Sequence, residues 1–206
     1  MTRWIPAAAL SLAAALTAAG GAQAATNLVQ NGGFEQADPS PWVAANWVLT
    51  EGRTHSGERA MSTGCVGANC VDPDAEGAAS LSQVIGGLTV GQVYTLSFFF
   101  TPSSGESGTT TPNALRVFWG DDLVTDLMNV PDVGYGLYSF DITATAAAQT
   151  LHFLGRNDPA NQFLDDVSLV AREAASAAPE PASWALMLLG FGGMGAALRR
   201  RRMAAA

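Results

Sequence analysis

The sequence predicts an all-β fold, a jelly-roll β-sandwich. Three observations carry this expectation. Apolar and polar residues alternate with a period of two through much of the segment from Asn27 to Val170. Glycine and proline break that segment at short intervals, as turns require. No long stretch of it has a helical period, and Ala146 to Ala148 is too short to count.

The clearest strand is Val93 to Phe100, with Tyr94, Leu96, Phe98 and Phe100 on one face. Ser80 to Ile85, Ala114 to Trp119, Leu123 to Met128, Leu137 to Thr143, Thr150 to Leu154 and Phe163 to Val170 have the same character. Gly86, Gly87 and Gly91 bracket a turn between two of them. About eight to ten short strands are expected, which suits a sandwich. The Ser/Thr/Gly-rich stretch from Pro102 to Pro112 is expected to be a surface loop.

Both ends differ from this middle. Residues 1–24 have the layout of a secretory signal peptide: Arg3, an apolar run from Ile5 to Ala19, and a small-residue site at Ala22-Gln23-Ala24. At the other end, Ala182 to Leu198 is 17 residues without a charge, followed by Arg199, Arg200, Arg201 and Arg202. That length is at the lower limit for a single membrane helix, and the arginines mark its cytoplasmic side. The expected organisation is a signal peptide (1–24), a β-sandwich (25–170), a flexible Ala/Ser linker (171–178) and a C-terminal sorting and membrane segment (179–206).

Charge narrows the function. The whole chain carries -8, from 18 acidic and 10 basic residues, and every basic residue is Arg. Residues 25–178 hold 17 acidic residues and 5 Arg, a balance of -12. Such a surface argues against nucleic acid, which needs a basic face. The absence of Lys removes Schiff-base chemistry and the phosphate-loop lysine.

The tail has a recognisable order: Pro179-Glu180-Pro181, then Trp184-Ala185-Leu186, a glycine-rich apolar run and the Arg cluster. This resembles a PEP-CTERM sorting signal. The resemblance implies a Gram-negative bacterium that makes exopolysaccharide, and recognition near the Pro-Glu-Pro motif by an exosortase, a membrane-embedded cysteine transpeptidase-like enzyme. It also implies passage from the inner membrane to the cell surface or the extracellular space.

A second ordered set spans the middle. Asn31-Gly32-Gly33-Phe34-Glu35 opens it, and Trp42, Trp47 and His55-Ser56-Gly57 follow. Leu81-Ser82-Gln83, Gly91 to Phe98, and Phe163-Leu164-Asp165-Asp166-Val167-Ser168-Leu169 complete it. This order resembles the galactose-binding-like jelly roll of bacterial carbohydrate-binding modules. The resemblance implies a structural Ca²⁺ where the first and last strands meet, held by Glu35 and Asp165, with Asp166 as the second choice of the pair. Alternation places Asp165 on the face of Val167 and Leu169, so an inward carboxylate in need of a partner is expected.

Other candidates come from the residues themselves. Cys65 and Cys70, in an exported chain, are expected to form a local disulfide. Trp42 and Trp119 are candidates for stacking on sugar rings, with Arg116 adding hydrogen bonds, whereas Trp47 is expected in the core. His55 and His152 are the two histidines, and no Gly-x-Ser-x-Gly elbow accompanies them. The expected function is therefore an exported, non-catalytic surface or matrix protein with a domain for extracellular polysaccharide. A secreted glycan hydrolase and a purely structural matrix domain are the alternatives.

Overall fold

The computed structural model describes residues 26–104, 112–172, 187–195 and 199–200. Among the described residues ten strands follow one another: β1 (Val43–Ala45), β2 (Val48–Glu51), β3 (Arg59–Thr63), β4 (Ser80–Gly86), β5 (Val93–Pro102), β6 (Asn113–Trp119), β7 (Asp122–Met128), β8 (Gly136–Thr143), β9 (Ala148–Asn157) and β10 (Gln162–Ala171). A 3-10 turn, Ala68–Val71, lies between β3 and β4. The strands form two five-stranded sheets, ordered β1-β4-β9-β6-β7 (the front sheet) and β2-β3-β10-β5-β8 (the back sheet). The paired strands are antiparallel throughout.

The two inner faces make the core. Tyr94, Leu96, Phe98 and Phe100 of β5 all point into it. Phe98 stands edge-on to Phe153 of β9, with ring centroids 5.3 Å apart. Trp42 joins the cluster by packing on Phe34 at 5.6 Å and on Phe153 at 6.1 Å. Such edge and tilted aromatic contacts add stability beyond the area they bury.

The seven strands expected from alternation are present, each slightly extended. Three short ones, β1, β2 and β3, carry no such signal. The three residues of β1 are all exposed, and four of the five in β3 are buried. A strand covered on both faces or on neither has no two-residue contrast to read.

Asp165 corrects the alternation argument. Its Cα partner across β5 is Phe99, while Ser168 pairs with Ser97, so β10 holds one extra residue between the two positions. Asp166 has φ 48°, a left-handed bulge conformation that aspartate tolerates. The bulge reverses the parity. Val167 and Leu169 point into the core, whereas Asp165 lies on the outer face with Phe99 and is buried by the loop that covers it.

The expected signal peptide, residues 173–178 of the expected linker, Pro179, Glu180, Pro181, Trp184, Arg201 and Arg202 lie outside the described residues. Residues 187–195 are helical, as are Arg199 and Arg200. Among the described residues no helix is long and apolar enough to cross a membrane.

Candidate functional site

Among the described residues, two regions are candidates for a site. The first is a corner where the opening motif meets β10 beneath the loop from Gly52 to Glu58. Asp165 is fully buried there, and its Oδ2 accepts from the backbone N–H of His55 (2.8 Å) and Ser56 (3.2 Å). Its Oδ1 accepts from the N–H of Asp166 at 2.7 Å. Burial pushes the Asp165 carboxyl above its ordinary range, and these three N–H donors oppose that rise. Asp166 holds the same loop through His55 Nδ1 (2.6 Å) and Ser56 Oγ (2.8 Å). Glu35 grips its far end, where Oε1 accepts from the N–H groups of Glu58 and Arg59, each at 3.0 Å. Gly57 is required here: a Cβ would stand 2.2 Å from Glu35 Oε1, and its φ is +59°. The His55 ring lies flat on Phe99, with centroids 3.4 Å apart.

Glu35 from the opening motif and Asp165 and Asp166 from β10 all bond to this one loop or its end. Their hard oxygen donors suit Ca²⁺ chemically. No group of three or more His, Cys, Asp or Glu assembled to hold a metal is found among the described residues. Backbone carbonyls would therefore have to complete the six to eight oxygens that Ca²⁺ takes.

The expected sugar-binding trio does not converge. Trp42 and Trp119 are only 4% and 3% exposed, so neither offers a face to a ligand. Their indoles are also engaged inside, Trp42 Nε1 with the carbonyl of Asn31 (3.1 Å) and Trp119 Nε1 with that of Thr143 (3.1 Å). Trp47 is buried as expected and donates to the carbonyl of Ala79 at 3.0 Å. The reason is parity: Leu115, Val117 and Trp119 share the inner face of β6, leaving Arg116 and Phe118 outside. Arg116 is a structural tie. It pairs with Asp126 at 3.0 Å and donates to the carbonyl of Val71 at 3.0 Å, holding the 3-10 turn on the sheet. The Cys65–Cys70 disulfide closes the loop around that turn.

The second region is the outer face of the front sheet. Val43 pairs with Ser82, Ser82 with His152, His152 with Phe118, and Phe118 with Leu123. Directly paired residues share a face, so these five side chains form one row across all five strands. At the usual strand spacing the row is about 19 Å long. Its centre is aromatic: the Phe118 and His152 rings lie 6.3 Å apart. Hydroxyls flank it at Ser80, Ser82 and Thr150, and Ser80 Oγ lies 2.7 Å from His152 Nε2. Val43, Val84 and Leu123 are well exposed. Leu123 also borders a hollow of about 370 Å³ between the edge strands β7 and β8, where Trp119, Asp122 and Phe140 are among the lining residues. Phe118 escapes notice in the sequence because Trp119, beside it in the same strand, is the more obvious stacking candidate. Its cue is that it shares parity with Arg116, in a strand whose larger apolar set is Leu115, Val117 and Trp119.

Burial holds His152 below the usual histidine range, so the ring is neutral at pH 7. A proton then binds the unfolded chain more tightly than the folded one. The stability that follows is present above the unfolded value and is lost as pH falls through it towards the folded value. Thermal midpoints are expected to drop between about pH 7 and about pH 5. The variant His152→Gln is expected to flatten that part of the profile, and an unchanged slope would refute the assignment.

Comparison with known proteins separates the tail from the domain. Residues 177–202 match the PEP-CTERM protein-sorting motif. The chain carries a PEP-CTERM sorting signal. That motif indicates an exported protein, sorted to the cell envelope of a Gram-negative bacterium. No curated protein matches the chain. The sandwich is similar to the CBM22-1 xylan-binding domain of Paenibacillus barcinonensis Xyn10C, at 15% identity over 75% of this chain and 99% of that one, with a TM-score of 0.53. A family 16 carbohydrate-binding module is similar at 15% identity over 70% and 99%, with a TM-score of 0.50. So is a Stig cyclase from a Fischerella species, at 14% over 73% and 99%, also with a TM-score of 0.50. At these identities the likeness is one of fold. The domain ahead of the sorting motif is a β-sandwich whose fold is shared by carbohydrate-binding modules and by a cyclase.

Proposed function

We propose that this PEP-CTERM protein is a non-catalytic glycan binder, displayed at the cell surface or in an extracellular polysaccharide matrix after an exosortase acts near Pro179-Glu180-Pro181. The observation that carries the proposal is the row Val43–Ser82–His152–Phe118–Leu123. An aromatic ring stacks on the apolar face of a sugar, and hydroxyl and imidazole groups beside it bond the sugar's own hydroxyls. The named xylan ligand of one similar structure supports a glycan as the class. The Ser80–His152 contact supports binding more than catalysis, because no carboxylate is bonded to His152 among the described residues to orient it as a base.

A glycan array on the full chain in detergent tests this. Substituting Phe118→Ala is expected to weaken binding at least about tenfold, roughly 1.4 kcal/mol, while the fold persists. Equal binding by the variant would place the ligand elsewhere.

The corner carries the second part of the proposal, a structural Ca²⁺ held by Glu35 and Asp165 with Asp166 beside them. The ion would tie the opening motif to β10. At ten times its Kd, Ca²⁺ would add about 1.4 kcal/mol, or roughly 3–6 °C in Tm, relative to EGTA. An unchanged melting temperature would sink this part alone.

A further inference from the structure

We infer that the glycans accepted by the front face are uncharged and that polyanionic polysaccharides are excluded. This rests on the glycan reading above and narrows its substrate class. The observation is how the cations of the domain are used. Residues 25–178 contain no Lys and five Arg, and each Arg is already paired with a carboxylate. Arg53 holds Asp132 at 2.5 Å, Arg116 holds Asp126 at 3.0 Å, Arg156 holds Asp158 at 3.4 Å and Arg59 holds Glu51 at 3.5 Å. Arg172 is paired with Asp141.

Uronate, sulfate or phosphate groups on a sugar chain call for a free guanidinium or ammonium to replace their water. Here such a ligand would have to break an existing ion pair and leave its carboxylate unpartnered. The surplus charge adds to this. Exposed Asp72, Asp74 and Glu76 follow the 3-10 turn at one border of the face, and exposed Asp121, in the β6–β7 turn, and Asp122, which opens β7, stand at another. Arg116 and Asp126, on the same face as the row, cancel each other. The row itself supplies aliphatic, aromatic, hydroxyl and neutral imidazole groups, which match the hydroxyls and C–H faces of an uncharged sugar. At physiological salt the domain's field extends about 8 Å, enough to act on a chain lying along the row.

The test uses the full chain in detergent with Arg199→Gln, Arg200→Gln, Arg201→Gln and Arg202→Gln, so that the tail does not bind polyanions itself. Affinities for xylan and a mixed-linkage β-glucan are compared with those for hyaluronan and polygalacturonate, from about 20 mM to about 500 mM NaCl. Neutral chains are expected to bind with less than about twofold change across that range, and Phe118→Ala is expected to weaken them. The polyanions are expected to bind at least about tenfold more weakly at low salt, with the gap narrowing as salt rises. Tighter polyanion binding at low salt that Phe118→Ala abolishes would overturn the charge inference and leave the glycan site standing. Failure of both classes to bind would overturn the glycan reading, and this inference with it.

Discussion

Replacing Gly32 with alanine is expected to lower the thermal midpoint by about 6–12 °C, or to prevent folding outright. An added Cβ would stand 2.0 Å from the carbonyl oxygen of Val167 and 3.2 Å from Val29 Cγ1. The obstacle is backbone, so no side chain can swing aside. The same two segments are joined by a hydrogen bond from Val167 N–H to the Gly32 carbonyl at 2.9 Å. Forced separation would break that bond and lift Phe34, a fully buried ring, from the core. Overpacking costs about 1–3 kcal/mol where side chains can adjust, and a backbone clash belongs at or above the top of that range. Each kcal/mol is worth roughly 2–4 °C in a domain of this size. Gly86→Ala is the control, because nothing lies within 4 Å of its Cβ position. A Gly32→Ala protein that melts with the Gly86→Ala control would show that the close approach is not rigid.

Asp165→Ala is expected to cost about 3 kcal/mol or more and to loosen the loop over the back sheet. The carboxylate is fully buried and accepts from three backbone N–H groups, those of His55, Ser56 and Asp166. Each buried donor left without an acceptor costs about 1–3 kcal/mol. Asp165→Asn keeps one carbonyl oxygen and is expected to fall between the wild type and the alanine variant. Limited proteolysis gives a local readout, with cleavage between Gly52 and Glu58 expected to rise in the order wild type, Asn, Ala. Equal protection in all three would mean that the loop is held by Glu35 and Asp166 alone.

Most of the β architecture is legible in the sequence because alternation reports a strand with one wet face and one dry. β5 and β6 state their inner faces residue by residue. The carboxylate corner is legible only in part. The family order points to Glu35, Asp165 and Asp166, and the fold sets all three against the loop from Gly52 to Glu58, yet simple parity sends Asp165 to the wrong side of the sheet. The single extra residue at the Asp166 bulge has no signature strong enough to be seen along the chain. The sugar-binding face is legible least. Large aromatic side chains suggest Trp42 and Trp119, but a tryptophan can bury its ring and satisfy its one N–H with a backbone carbonyl, and both do.

The sequence by itself determined that this is a β domain of strong negative charge joined to a PEP-CTERM sorting signal, because periodicity, composition and a contiguous motif are properties of the chain. Only the tertiary structure decided which residues face the same solvent. The row from Val43 to Leu123 draws one residue from each of five strands, as far apart in sequence as Val43 and His152. Strand order and register bring them side by side, and these are set by how the two sheets close over a common core. The pairing of all five arginines is likewise a property of the folded surface, with partners up to 79 residues apart. A count of charges gives the sign of the field, and only the fold shows that no cation of the domain is left free of a carboxylate partner.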